Sequence, residues 1–401
     1  MSIQISKNRI ILTVAGTAAM FLAACGGSST STPTSVATVV SSATASATNT
    51  PVPASPTATT SATATGAATA VATSAPIVEG DTTRVEPVRS EIPTLKGRSL
   101  SAQSIDIDQQ THLLYLADKT TNGLDIFDIS GKNALYVKTI SMPSGPNGVL
   151  IVKPLNKIFV SLNSSAVAVI DIAVGSDKKD NVIATVDTGG AGRADAMDYD
   201  PNTNKVYVVN NDDGMVTSID AGSNTIIKKF NTLGAALRQI RYNPKDGMMY
   251  MASADQNALF RFDPRTDNLA EKIDVVDRCL PIGLAINPTT NQALLGCSAK
   301  SQHTAVWDFA SKKVVMVYTN VGGTDEVMYD VKVNLYFTAS YLFASGPMIG
   351  IFDGKDGRFI TNVPAQTGSH QIAYDETNRI LYTTQSGLGG LIGLPLPVVG
   401  G

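Results

Sequence analysis

Seven positions of this chain carry the side chains best placed to act on a ligand: Gln103, Asn147, Asp195, Arg238, Ile282, Asp325 and His370. Each stands five residues ahead of a residue that opens a turn, and all but Ile282 are polar. If the fold makes them equivalent, they converge on one mouth and bring carboxylate, amide, guanidinium and imidazole together. Both signs of charge then suit a polar or sugar-like ligand better than a lipid or a duplex. Within the ring, Asn147, Asp195, Asp325 and His370 form a mixed oxygen and nitrogen set open to a divalent cation, and no spacing selects calcium, manganese or zinc. The plainer reading is a solvated rim, with His370 bonded to a neighbouring loop carbonyl. His112 and His303 fall in other loops.

An internal repeat makes these positions equivalent. Aligning Tyr115, Phe159, Tyr207, Tyr250, Leu294, Tyr336 and Tyr382 gives intervals of 44, 48, 43, 44, 42 and 46 residues, the period of four-stranded propeller blades. The third copy states the unit most clearly. Ala196–Asp200 alternates as a strand, 201–204 is turn chemistry, and strands follow at Lys205–Asn210, Met215–Asp220 and Thr225–Phe230. An Asp ends the third strand at Asp128, Asp171, Asp220, Asp263, Asp308 and Asp353. A carboxylate that recurs by symmetry is expected to cap its turn rather than act on a ligand.

The seventh copy ends soon after its third strand at Leu391–Leu394. Val85–Leu95 occupies the place of a fourth strand ahead of the first copy, so the sequence predicts an all-β, seven-bladed β-propeller whose last blade is closed by this N-terminal strand. Pro87 and Pro93 suit an outer edge.

The segment Asp200-Pro201-Asn202-Thr203-Asn204-Lys205-Val206-Tyr207-Val208-Val209-Asn210, followed by Val216–Asp220, resembles the YVTN-type β-propeller repeat of bacterial surface and periplasmic proteins. Asn243 to Tyr250 and Asp375 to Tyr382 are similar, and the first, second and sixth copies are looser. The resemblance covers about 300 residues and implies the propeller fold; its members are surface-layer, adhesion-like and sugar-lactone-related proteins, so it does not choose a function. Gluconolactonase-like propellers place acidic and amide side chains in the central channel, but none of their motifs is matched residue by residue.

The first fifth of the chain reads as an address and a spacer. Lys7 and Arg9 precede an apolar run from Ile10 to Phe21, which closes with Leu22-Ala23-Ala24-Cys25. That order resembles the bacterial lipobox, in which the cysteine is acylated, and about twelve apolar residues are too few to span a bilayer. The expectation is a lipoprotein signal peptide over 1–24 with lipidation at Cys25, a disordered Ser/Thr/Ala/Pro-rich linker over 25–80, and a propeller over 81–401. A flexible linker of that length spans roughly 40 Å.

No Asp, Glu, Lys or Arg lies between Arg9 and Glu79, so all 34 acids and 29 of the 31 bases belong to the remainder. An acidic domain excludes general nucleic-acid binding, which needs a basic face. No Cys-x-x-Cys-His, no Gly-x-x-x-x-Gly-Lys and no Gly-x-Ser-x-Gly occurs. Cys279 and Cys297, the pair left beside Cys25, are expected to form a disulfide in an exported chain. The single Trp307 sits at an apolar repeat position filled by Phe127, Ile170, Ile219, Phe262 and Phe352 and is expected to pack.

Together these features predict a monomeric, lipid-anchored propeller on the cell membrane or outer surface, facing the extracytoplasmic side. Through its loop face or funnel it would bind a protein, a polysaccharide or a small polar ligand. The alternative is a metal-dependent hydrolase or lactonase acting in the central channel with a divalent cation.

Overall fold

The computed structural model describes residues 90–91, 100–230, 234, 236–385 and 390–396. Within them the chain forms seven antiparallel four-stranded sheets arranged as a seven-bladed propeller. In six sheets the strand order follows the sequence from the channel outward. The innermost strands are Ala102–Asp108, Pro146–Val152, Ala194–Asp200, Leu237–Asn243, Pro281–Asn287, Glu326–Asp330 and Ile372–Asp375. Each packs against the next, and the seventh packs against the first.

The blades repeat because the same local chemistry recurs. The residue four beyond each turn-opening position has a positive φ in all seven copies: His112, Asn156, Asn204, Gly247, Asn291, Asn334 and Arg379. Asn and Gly take this left-handed region at least cost, and they fill five of the seven places. The turn-opening side chains accept backbone N–H groups two residues on, as Asp200 does from Asn202 at 2.9 Å and Asn287 from Thr289 at 2.9 Å. Copy two has Val152 there instead, and its turn becomes a single 3-10 turn, Lys153–Leu155, whose Lys153 pairs with Asp108 of the first blade.

The Asp residues ending the third strands cap turns in the expected way: Asp128 accepts from Ser130 N at 2.8 Å, Asp220 from Ser223 N at 2.7 Å and Asp353 from Lys355 N at 2.9 Å. Middle strands alternate inward on both faces into buried clusters shared between adjacent blades. Trp307 is buried in one of them with Leu295 and Ala305.

The expected closure needs correction. Each sheet is an open four-stranded sheet, and none is closed on itself. Within the expected Val85–Leu95, the described residues are the two-residue strand Ser90–Glu91, which forms the outer edge of the seventh blade and pairs with Gly393 and Ile392 of Gly390–Pro395; the rest of that segment lies outside the described residues. The expected signal peptide over 1–24, Cys25 and the expected linker over 25–80 lie outside the described residues. No α-helix occurs among the described residues, hence none long and apolar enough to cross a membrane.

Candidate functional site

A cavity of about 330 Å³ opens along the channel, and all seven of Gln103, Asn147, Asp195, Arg238, Ile282, Asp325 and His370 line it. How they get there is a matter of backbone. In blades one to five the pairing of the first two strands slips at this position, between Ala102 and Ser104, Pro146 and Val149, Ala194 and Met197, Leu237 and Ile240, and Pro281 and Gly283. A bulge re-aims the side chain it contains. In blades six and seven the same residues stand just ahead of strands that begin at Glu326 and Ile372.

The rim residues differ in how they are held. Gln103 accepts from Lys119 Nζ at 3.0 Å, and Asp195 accepts from Asn211 Nδ2 at 2.9 Å with Arg193 Nη2 at 3.4 Å. His370 donates Nδ1–H to the Gly368 carbonyl at 2.7 Å, the plainer role expected for it. Burial pushes the Asp325 carboxyl above the ordinary range, partly offset by His370 and reinforced by Asp195. Asn147 donates to the Ala194 carbonyl at 2.7 Å, while its buried Oδ1 has no hydrogen-bond partner. The buried Nε atoms of Arg193 and Arg238 are also unpartnered. Buried polar atoms without partners are uncommon in folded proteins, and this mouth gathers one acceptor and two guanidinium donors of that kind.

Below the rim lies a second polar layer that the sequence reading missed: Asp106, Asp198, Gln239, Arg241 and Glu326 all line the cavity. Most of them bind the next blade. Asp106 accepts from Ile151 N at 2.9 Å, Asp198 from Tyr242 N at 2.7 Å and Glu326 from Ile372 N at 2.9 Å. Gln239 Oε1 accepts from Leu284 N at 2.7 Å and from Val327 N at 3.0 Å, so it ties blade four to blades five and six. Arg241 stands among these groups, with Nη2 at 3.8 Å from Glu326 Oε1. The available signal was polarity at strand positions two and four residues before the turn, where most copies carry small or apolar residues.

Burial raises Glu326 to about 7 and Asp106 to about 6, and Arg241 opposes both shifts. The folded state therefore holds protons that the unfolded chain, with carboxyls near 4, has released. Stability is fully present below pH 4 to 5 on this account and declines as pH rises through about 7. Thermal melts should show the midpoint falling between pH 5 and pH 8. Glu326→Gln should flatten part of that fall, worth at most about 3 kcal/mol by the size of the shift. An unchanged pH slope in the variant would exclude this assignment.

Apart from the expected set Asn147, Asp195, Asp325 and His370, the described residues bring another group of donor atoms together: Cys279, Cys297 and His303 hold theirs within 4.8 Å of one another. This group, with both cysteines buried and His303 partly open, could coordinate a divalent cation. A disulfide joins Cys279 to Cys297, with a Cα–Cα distance of 4.7 Å, and a metal would need its sulfurs as thiolates. The bulge at Ile282 sets Pro281, rather than Ile282, opposite Cys297, which shortens the reach from Cys279. The bridge closes a separation of 18 residues, for which chain entropy gives roughly 3 kcal/mol as an upper figure between strands already paired. Replacing both cysteines by Ala should lower the denaturation midpoint accordingly, and equal midpoints would show the bridge to be thermodynamically idle. No protein-family model matches the chain, and no curated protein matches it in sequence.

Proposed function

We propose that the channel mouth binds a small hydroxylated acid, of the kind represented by sugar acids. The observation that carries this reading is the unpartnered set at the rim. Arg238 Nε and Arg193 Nε ask for an anionic or hydroxyl oxygen, and Asn147 Oδ1 asks for a hydroxyl proton. Asp325, whose carboxyl burial pushes above its ordinary range, stands at the same mouth. A propeller channel with convergent polar groups is a usual place for such a ligand.

Other features support an extracytoplasmic, lipid-anchored setting for this binding protein. The Leu22-Ala23-Ala24-Cys25 sequence supports acylation at Cys25, the likeness to YVTN-type repeats supports a surface or periplasmic location, and the Cys279–Cys297 bridge suits an oxidising compartment. Cys25→Ala should abolish labelling by a fatty-acid probe and release the protein from membranes. Unaltered labelling would remove the anchor from the account.

Two observations favour a second reading, a metal-dependent hydrolase or lactonase. The Cys279, Cys297 and His303 group can hold a cation outside the channel once its disulfide is reduced, and burial raises the channel residue Glu326 to about 7, where a carboxyl can take and return a proton at neutral pH. Hydrolysis of a sugar lactone yields a hydroxy acid, so both readings share one ligand chemistry. Calorimetry with D-gluconate and a hydrolysis assay with D-glucono-lactone, each with and without zinc, calcium and manganese, separate them. Binding of gluconate without turnover supports the binding protein. Turnover lost in Glu326→Gln supports the enzyme, and neither binding nor turnover removes both.

A further inference from the structure

One corner of blade five holds a group of side chains that does not line the channel. Cys279 lies in the segment entering Pro281–Asn287, and Cys297 ends Gln292–Cys297. Both are fully buried beside Leu284, Leu295 and Trp307. His303 immediately precedes the strand Thr304–Asp308, and its ring donates Nδ1–H to the Ser301 carbonyl at 2.9 Å. That bond fixes the ring and turns Nε2 toward Asp277 Oδ2, 3.2 Å away. Asp277 is itself set in place, since its Oδ1 accepts from Cys279 N at 3.0 Å. A backbone carbonyl holding one imidazole nitrogen while the other is presented to a site is the arrangement found in metal-binding histidines.

Zinc bonds of about 2.3 Å to sulfur and about 2.0 Å to nitrogen place tetrahedral donors roughly 3.5 to 4 Å apart. The two sulfurs and the His303 nitrogen already lie within 4.8 Å of one another. We propose that a dithiol reductant converts this corner into a binding site for a soft divalent cation such as zinc, held by Cys279, Cys297 and His303, with Asp277 beside the His303 ring. The dithiol supplies two electrons and two protons, the Cys279–Cys297 bond breaks to two thiols, and the dithiol's own sulfurs close into a disulfide. The cation then displaces both thiol protons to solvent as the two metal–sulfur bonds form. Thiolates select zinc over calcium or magnesium. In the oxidised chain the sulfurs are spent on each other, so an imidazole and a carboxylate remain, too few for a tight site. Occupancy therefore follows the redox state of the bridge. Asp277 and His303, partly open at 20% and 13% of their side chains, form the solvent side of the site.

Cobalt(II) titration tests this, with Cys25→Ala removing the third thiol. After dithiothreitol treatment and its anaerobic removal, one cobalt per chain should bind with a thiolate-to-metal charge-transfer band and be displaced by zinc. The oxidised chain should show no such band, and His303→Gln should weaken cobalt binding at least tenfold. A reduced chain without the band at stoichiometric cobalt, or a His303→Gln chain that binds as tightly as its parent, would overturn the proposal. Should reduction loosen the fold, thermal melting decides: zinc should raise the midpoint of the reduced chain and leave the oxidised one unmoved, and no rise in the reduced chain would refute the site.

Discussion

Asp267→Ala should be the most destabilising single substitution considered, costing about 3–5 kcal/mol. Asp267 sits in the last turn of blade four, 6% exposed, and reaches back to blade three. There it accepts from Tyr207 Oη at 2.5 Å and pairs with Lys205 Nζ at 2.6 Å. Tyr207 is buried, and the Lys205 side chain is 13% exposed, so neither finds full hydration once its partner is gone. An uncompensated ammonium is the larger part of the cost. Asp267 also has φ near 51°, a region Ala takes at some further expense. Asp267→Asn keeps an acceptor and tolerates that φ, and should lose markedly less. Urea denaturation of both variants checks this, and an Ala midpoint within about 1 kcal/mol of the parent would mean that the blade contact carries little of the stability.

The same logic of unpaired groups governs the second prediction, at the channel. Arg238→Ala should weaken binding of D-gluconate by about 30-fold or more, because truncating one partner of a buried charged contact costs roughly 2–5 kcal/mol. The rim residue stands in a bulge between Leu237 and Ile240, and its buried Nε has no hydrogen-bond partner. Its charge also opposes the effect of burial on Asp325, so the loss of affinity is read beside the melting temperature of the variant, which should show the fold intact. Asp195→Ala with Asp325→Ala makes a less selective test, since Asp195 also holds Asn211 and Arg193. Parent-like affinity in Arg238→Ala would move any ligand to the outer loops.

How much of this was legible in the sequence depends on the residue. The blade boundaries were, because turn chemistry recurs at fixed offsets. The strands read at Lys205–Asn210 and Thr225–Phe230 have those bounds in the structure. The seven rim positions were found by counting, yet period-two alternation sets a residue five before the turn and one two before it on opposite faces. The bulge at Asp195, between Ala194 and Met197, is what lets both it and Asp198 line the channel. No residue type announces that bulge, so the wall residues Asp106, Asp198, Arg241 and Glu326 went unread. His303 was set aside as a lone loop residue because its closeness to Cys297 depends on a short loop folding back at the strand end. At Val85–Leu95 the missing fourth strand of the seventh copy pointed to the right edge, and the described part of that edge is the pair Ser90–Glu91.

The central claim, that the channel mouth is a binding site for a small hydroxy acid, is tested most directly by a crystal structure grown with D-gluconate at saturating concentration. The account predicts the ligand in the channel, its carboxylate within hydrogen-bonding distance of Arg238 Nε and a hydroxyl donating to Asn147 Oδ1. A channel holding only water under those conditions, or gluconate bound with Arg238 and Asn147 still unpartnered, would contradict it.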